Sequence, residues 1–268
     1  MTNPRHRSIA TIRLDAFIRL LNLRSICRFN DSILVTEYPK SGGTWLGEMV
    51  ADMYSLKFPQ NRFPHIQGCL YHGHYLQQFH SVKTIVLWRD PRDIVVSWYY
   101  HTLTSSVSHT SMQKHAHEAL QLEDVTDIKN NLPSFIDYMF TGQRTPKFTW
   151  CDFFDSWFNN SDVFHTSYEQ LSADSAGELV KLCHFFDKNP NRSMIDSIVA
   201  ARSFEAVSGR KRGQNDPSSF LRKGVPGDWI NCFSDEASGM LQSKIGNRLN
   251  QYCEKFIETG KANHNQPA

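Results

Sequence analysis

The chain is 268 residues long, 40% hydrophobic, with a formal net charge of +2, which suits one well-buried domain and excludes two domains of ordinary enzyme size. The small net charge says little about partners because it is unevenly spread: residues 1–30 carry six Arg against one Asp, and residues 201–224 carry six Lys or Arg against two acids. No apolar run approaches the roughly 20 residues that span a bilayer, no secretory leader opens the chain, and the six cysteines form no CxxC pair, so reduced, packed thiols and a cytoplasmic location are expected.

Residues 1–30 read as an N-terminal amphipathic segment that packs on the domain. Ile9, Ile12, Ala16, Leu20 and Leu23 recur at helical spacing, with Arg13 and Arg24 elsewhere. Packing on a sheet edge is the expected role; a basic helix lying peripherally on an anionic membrane is the alternative. The domain proper spans 31–260, with a tail over 261–268. It opens on ILVTEYPKSGGTWLGEMV, Ile33 to Val50: an apolar run, a turn and a helical pattern without a gap. A strand from Ile33 to Thr36 ends at Pro39. Gly42 and Gly43 let the backbone turn with its N–H groups inward, and a helix from Thr44 toward Ser55 brings the positive end of its dipole to the same mouth. Lys40 adds a full charge there. The product is an anion cradle, though not the nucleoside-triphosphate loop, whose Lys follows its second glycine; Lys40 precedes both.

After the Pro-punctuated FPQNRFPH, CLYHGHY (Cys69 to Tyr75) mixes short β-type character with His72 and His74. Lys83 to Trp88 reads as a second buried strand. RDPRD follows at once, with Asp90 as N-cap and Pro91 at the first helical position of a helix through IVVSWYYH. Two strand–turn–helix units imply a parallel sheet with ligands at the carboxyl ends of its strands. Residues 102–131, rich in Ser, Thr, His and Asn, read as a long surface segment. SFIDYMF and FTWCDFFDSWF read as aromatic helices that fill the core, with lining of an apolar pocket as a second role. VFHTSYEQL is a third strand running into a turn, and Leu179 to Phe186 and Met194 to Phe204 are two helices. Ser208 to Asp228 is glycine-rich, basic and too polar for core. A last helix from about Ser234 buries Leu241, Ile245, Leu249, Tyr252 and Phe256 and stops at Gly260.

Three turns carry a resemblance. YPKSGGTW resembles the YPKSGTTW loop of the PAPS-dependent sulfotransferases, where PAPS is 3′-phosphoadenosine 5′-phosphosulfate; Gly43 replaces a Thr whose hydroxyl faces the phosphates in that family. WRDPRDIVVSWYYH is similar to the family's next strand-to-helix turn, and FLRKGVPGDW, Phe220 to Trp229, to its RKGxxGDW loop. The three stand in the family's order from Tyr38 to Trp229. The resemblance implies a single α/β domain with a central parallel sheet flanked by helices and a P-loop-like cradle. It implies PAPS as sulfuryl donor, adenosine 3′,5′-bisphosphate (PAP) as product, and no metal.

Residue by residue, the resemblance implies that Lys40, Ser41, Gly42, Gly43 and Thr44 hold the 5′-phosphosulfate. Arg89 and Ser97 bind the 3′-phosphate, which Arg222, Lys223 and Gly224 clasp from the other side. Trp45 stacks on the adenine, Tyr168 reaches its edge and Phe204 takes its other face. In-line sulfuryl transfer needs a base for the acceptor's proton and a cation for the departing oxygen. Lys40 suits the second task, with Ser97 holding it back until an acceptor arrives. The family's base is a His in a KTH-like motif. Aligning LYH with it selects His72, with Leu70 at the Lys position; aligning on His74 puts His72 in that cationic position. His72 is taken first, with His74 its rival, while His65, His80 and His101 read as surface or supporting residues. The acceptor is expected to be a hydroxyl of a small molecule, lipid or carbohydrate. A non-catalytic PAPS- or PAP-binding protein is the alternative, and no nucleic-acid-binding signature stands in the chain. The family's KxxxTVxxxE dimer motif is absent, FSDEASGMLQ standing in its place, so the oligomeric state is open.

Overall fold

The computed structural model describes residues 9–60, 68–79, 82–104, 110–141, 146–216, 218, 219 and 221–258. Strands β1 (Ile33–Glu37), β2 (Leu70–Gly73), β3 (Lys83–Trp88) and β4 (Phe164–Ser167) form one parallel sheet in the order β2-β1-β3-β4. Around it lie α1 (Ile9–Leu21), α2 (Gly43–Tyr54), α3 (Pro91–Leu103), α4 (Thr110–Leu120), α5 (Ile128–Thr141), α6 (Trp150–Trp157), α7 (Tyr168–Phe185), α8 (Arg192–Ala201), α9 (Phe204–Ser208), α10 (Asp235–Ile245) and α11 (Arg248–Cys253).

Strand β1 is buried at every position and β3 everywhere but Lys83, which is why both read as continuous apolar runs. The two-residue period sends Ile85 and Leu87 into the layer under α2, α7 and α8, with Leu46, Met49, Leu179 and Ile195. Val86 and Trp88 enter the opposite layer, with Tyr99, Phe135, Phe153, Trp157 and Tyr252. The aromatic-rich stretch therefore mostly fills the core, Phe135, Trp150, Phe153, Phe154 and Trp157 all being buried, while Tyr138 lines an open cavity between α4, α5 and α10.

The structure departs from the sequence reading at five places. The short β-type stretch is a full fourth strand, β2, whose His72 pairs with Val35 and Gly73 with Thr36. Residues 102–131 hold α4 and the start of α5; of the α4 side chains described only Ala116 is buried, and the polar sequence around it hides the helix. The turn expected after β4 is the first turn of α7, fixed by a capping box between Ser167 and Gln170. The last helix breaks at Gly246 (φ 59°) into α10 and α11. Finally, α1 buries its predicted stripe only in part among the side chains described. Leu20, Leu23 and Cys27 pack with Tyr71, Phe79 and Val82 beside β2, but Ala16 is exposed, Leu14 and Phe17 are 55% and 58% exposed, and Asp15 and Arg19 are buried. His65, His80, Phe220, the stop at Gly260 and the 261–268 tail lie outside the described residues.

Candidate functional site

The carboxyl ends of β1 and β3 converge on the cradle. Lys40 (φ 74°) and Gly42 (φ 102°) both take left-handed backbone, which reverses the chain between Pro39 and the start of α2. At Gly42 the space is filled as well: an added Cβ would lie 2.9 Å from the Tyr168 ring. The Ser41 hydroxyl donates to the Tyr38 carbonyl at 2.7 Å and closes the turn. Because Gly42 is its N-cap, α2 has no capping side chain, so its first amides face the cradle. One of them is already engaged: Gly43 N–H donates to Glu37 Oε2 at 2.5 Å. Thr44 and Trp45 follow on the first turn of α2.

Arg89 leaves the end of β3 and donates from Nη1 to the Lys40 carbonyl at 2.9 Å, so the second turn is tied to the first. Its guanidinium lies 4.3 Å from the Tyr168 ring centroid, and its Nε is buried with no hydrogen-bond partner. An orphaned guanidinium donor beside an uncapped helix start fits a phosphorylated ligand. Ser97 lies further along α3, partly exposed.

The third turn is held from both sides. Arg222 and Lys223 pair with Asp228 at 2.6 and 2.5 Å, and the Gly227 and Trp229 amides donate to the buried Asp93 carboxylate of α3 at 2.6 and 3.0 Å. Burial pushes the Asp93 carboxyl up, with Arg89 opposing. Arg210 donates to the carbonyls of Leu221 and Arg222, and Arg212 Nε to that of Gly224 at 3.0 Å. The sequence reading missed Asp93, Arg210 and Arg212 as loop anchors; the only local signal is that the basic stretch holds more arginines than a phosphate clamp needs.

Lys40 shows that the three turns share one space. Its pKa is lowered to about 8, first by burial, then by the Arg89 charge, with Glu37 opposing and Arg222 adding to the fall. Burial and two neighbouring cations both disfavour the Lys40 charge, a setting in which a bound anion would stabilise it.

The aromatic residues gather beside it. Trp45 meets Tyr168 edge to face at 5.7 Å, and its indole N–H donates to the Arg202 carbonyl at 2.8 Å, two residues before Phe204. Phe204 presses on Gly224 (φ 67°), where an added Cβ would fall 2.2 Å from the ring.

The two histidines stand on the opposite side of β1, and both meet Glu37. His72 Nε2 is 3.1 Å from Glu37 Oε1, and His74 Nδ1 is 3.1 Å from the Glu37 carbonyl. A carbonyl only accepts, so His74 carries its proton on Nδ1 and presents a lone pair on Nε2. Burial pushes the His74 pKa down; the Glu37 charge opposes it and His72 adds to the fall, so the ring is neutral near pH 7. His101 lies near the end of α3, partly buried against Trp98.

The sulfotransferase domain family matches residues 75–253. Rat sulfotransferase 1E1 is 28% identical over 84% of this chain and 86% of its own length, and rabbit amine sulfotransferase 21% identical over 85% and 84%. Among solved structures, a mouse sulfotransferase complexed with PAP superposes with a TM-score of 0.65 at 19% identity, covering 95% of this chain and 96% of the other. A retinol dehydratase in complex with androsterone and PAP gives 0.57 at 15%, covering 90% and 87%.

Proposed function

This chain belongs to the sulfotransferase family, and on that premise we propose that it moves a sulfuryl group from PAPS to a hydroxyl of a small-molecule, lipid or carbohydrate acceptor, leaving PAP. The observation that carries this reading is the gathering of Lys40, Arg89 and Arg222 around one space, with the Arg89 Nε buried and unpartnered. PAPS when bound supplies the activated sulfuryl group. The Lys40 ammonium, the amides at the start of α2 and Ser41 would hold its 5′ end; Arg89, Ser97, Arg222, Lys223 and Gly224 its 3′-phosphate; Trp45, Tyr168 and Phe204 its base.

Transfer forms a bond from the acceptor oxygen to sulfur and breaks the bond from sulfur to the phosphate oxygen. The acceptor's proton goes to an imidazole, and the negative charge left on the phosphate falls to Lys40. For the imidazole we favour His74 over His72. His74 is neutral and fixed as the Nδ1–H tautomer by the Glu37 carbonyl, whereas His72 Nε2 already faces a carboxylate. Among the described residues no helix is long and apolar enough to cross a membrane, and none of the six cysteines forms a disulfide; we place the enzyme in the cytoplasm, where such thiols stay reduced.

The test is a labelled-donor assay across phenols, sterols, sugars and glycolipids, with PAP-induced thermal shift alongside. His74→Ala should lower kcat by about 100-fold or more while PAP still stabilises the fold. If His72→Ala/His74→Ala turns over at the wild-type rate, the base assignment fails. If PAP stabilises the protein but no acceptor is sulfated, the chain is a PAP-binding protein without catalysis.

A further inference from the structure

The carboxylate of Glu37 sits inside a site built for anions, and nothing in the reaction as described uses it. It is 4% exposed at the carboxyl end of β1. The parallel register that sets Thr36 against Gly73 brings Glu37 beside His74. All three of its acceptor oxygens are engaged: Oε2 by Gly43 N–H at 2.5 Å, Oε1 by His72 Nε2 at 3.1 Å, and the backbone oxygen by His74 Nδ1 at 3.1 Å.

Gly43 is the spatial counterpart. A Cβ added there would lie 2.3 Å from His72 Nε2 and 2.6 Å from Glu37 Cδ, closer than atoms approach. Any side chain at 43, the threonine of YPKSGTTW included, would have to evict the Glu37–His72 pair. Gly43 has an ordinary helical φ, so its backbone does not require glycine; the space does. Gly43 and the Glu37 carboxylate therefore depend on the same space.

We propose that Glu37 is a positioning residue for the reaction assigned above: its carboxylate holds His72 in place and sets its charge beside His74, and the lack of a side chain at Gly43 leaves the space it needs. The inference rests on the sulfotransferase reading. The charged groups facing the carboxylate are His72 and His74 from the β2 side and Lys40 from the cradle. Burial pushes the Glu37 carboxyl up; the His72 hydrogen bond, the charges of both histidines and the Gly43 N–H outweigh it and hold the pKa below the usual value. The ionised carboxylate favours the protonated form of His74 against the burial that opposes it. The Glu37 carboxylate thus raises the basicity of the lone pair that takes the acceptor's proton, while the backbone carbonyl of the same residue sets its direction.

The experiment compares Glu37→Gln, Gly43→Thr and Glu37→Thr/Gly43→Thr with wild type, reading PAP-induced thermal shift, kcat against pH, and the His74 imidazole titration by NMR without substrates. Glu37→Gln keeps the size of the side chain and removes its charge. It should cut kcat by about tenfold, as loss of a supporting hydrogen-bond partner commonly does, and move both the His74 titration and the acid limb of kcat to lower pH. Gly43→Thr should lose activity or fold, and the double variant should regain most of what it loses, a coupling expected of groups that compete for one space. The inference is overturned if the His74 titration is the same in wild type and Glu37→Gln, or if the double variant is no better than Gly43→Thr. These outcomes separate from failure of the enzyme assignment: a wild type that neither sulfates nor is stabilised by PAP sinks the sulfotransferase reading, while the His74 titration still decides whether Glu37 governs the pair.

Discussion

The cradle with its two clamps and the helix α1 are both short basic stretches, and they place their charges by opposite rules. In the cradle the turns that carry the cations are tied down: Arg89 donates to the Lys40 carbonyl, and two amides of the Arg222 turn donate to Asp93. In α1 the apolar Leu14 and Phe17 face solvent, while Arg19 is buried and hydrogen-bonded to Tyr75. A turn whose shape follows from its own Gly, Pro and cap residues fixes its side chains locally. A helix is free to rotate about its axis, so the face it buries is chosen by what it packs on, here the polar rim beside β2. If that contrast is right, substitutions in the three turns act on ligand and turnover, and substitutions in α1 act on stability alone.

The largest effect should come from Arg89→Ala, because that one side chain both faces the ligand space with an unpartnered Nε and braces the Lys40 carbonyl. PAP affinity by calorimetry should fall about 100-fold, close to 2.7 kcal/mol. A fall of less than fivefold would mean that the three turns do not act as one site. Lys40→Ala comes next, and should cost about 100-fold in kcat with a smaller loss of PAP affinity, since its charge is needed most when the phosphate oxygen departs. The pH dependence has a definite sign. With its pKa lowered to about 8, Lys40 is a cation below that pH and neutral above it, so kcat/KM should fall on the alkaline side through about pH 8. Lys40→Ala should lose that limb.

Asp93→Asn probes the scaffold of the third turn. The carboxylate accepts from two amides in a buried setting, and the amide side chain can replace one acceptor at most. Stability should drop by roughly 1–3 kcal/mol, read as a lowered denaturation midpoint, and PAP affinity should fall with it as Arg222 loses its frame. If stability falls but PAP affinity does not, the RKG turn is structural and does not clasp the nucleotide.

The same contrast explains what could be read from the chain and what could not. The two strand–turn–helix units were legible because Pro39, Gly42, Asp90 and Pro91 each have a local conformational meaning, and the structure uses Asp90 as the N-cap, its carboxylate accepting from Arg92 N–H. Helix α4 was not legible, since a helix in which Ala116 is the one buried side chain among those described leaves almost no apolar period. Glu37 was overlooked because in sequence it is one polar residue at the end of a strand; only the parallel register and the empty space at Gly43 join it to His72 and His74. The cations are named by their turns, whereas the groups that orient them, Asp93, Arg210 and Glu37, are named by contacts across long stretches of chain.

The smallest effect, and the sharpest test of the contrast, is a pair of changes on α1. The exposed Phe17 contributes little burial, so Phe17→Ser should change stability by no more than about 0.5 kcal/mol. Arg19 is charged yet buried beside Tyr75, so Arg19→Ala should cost about 1–2 kcal/mol by chemical denaturation. Neither change should alter PAP affinity by more than about twofold, a shift of roughly 0.4 kcal/mol. If instead Phe17→Ser is the more damaging of the two, α1 packs through its apolar residues after all, and the rule separating it from the cradle does not hold.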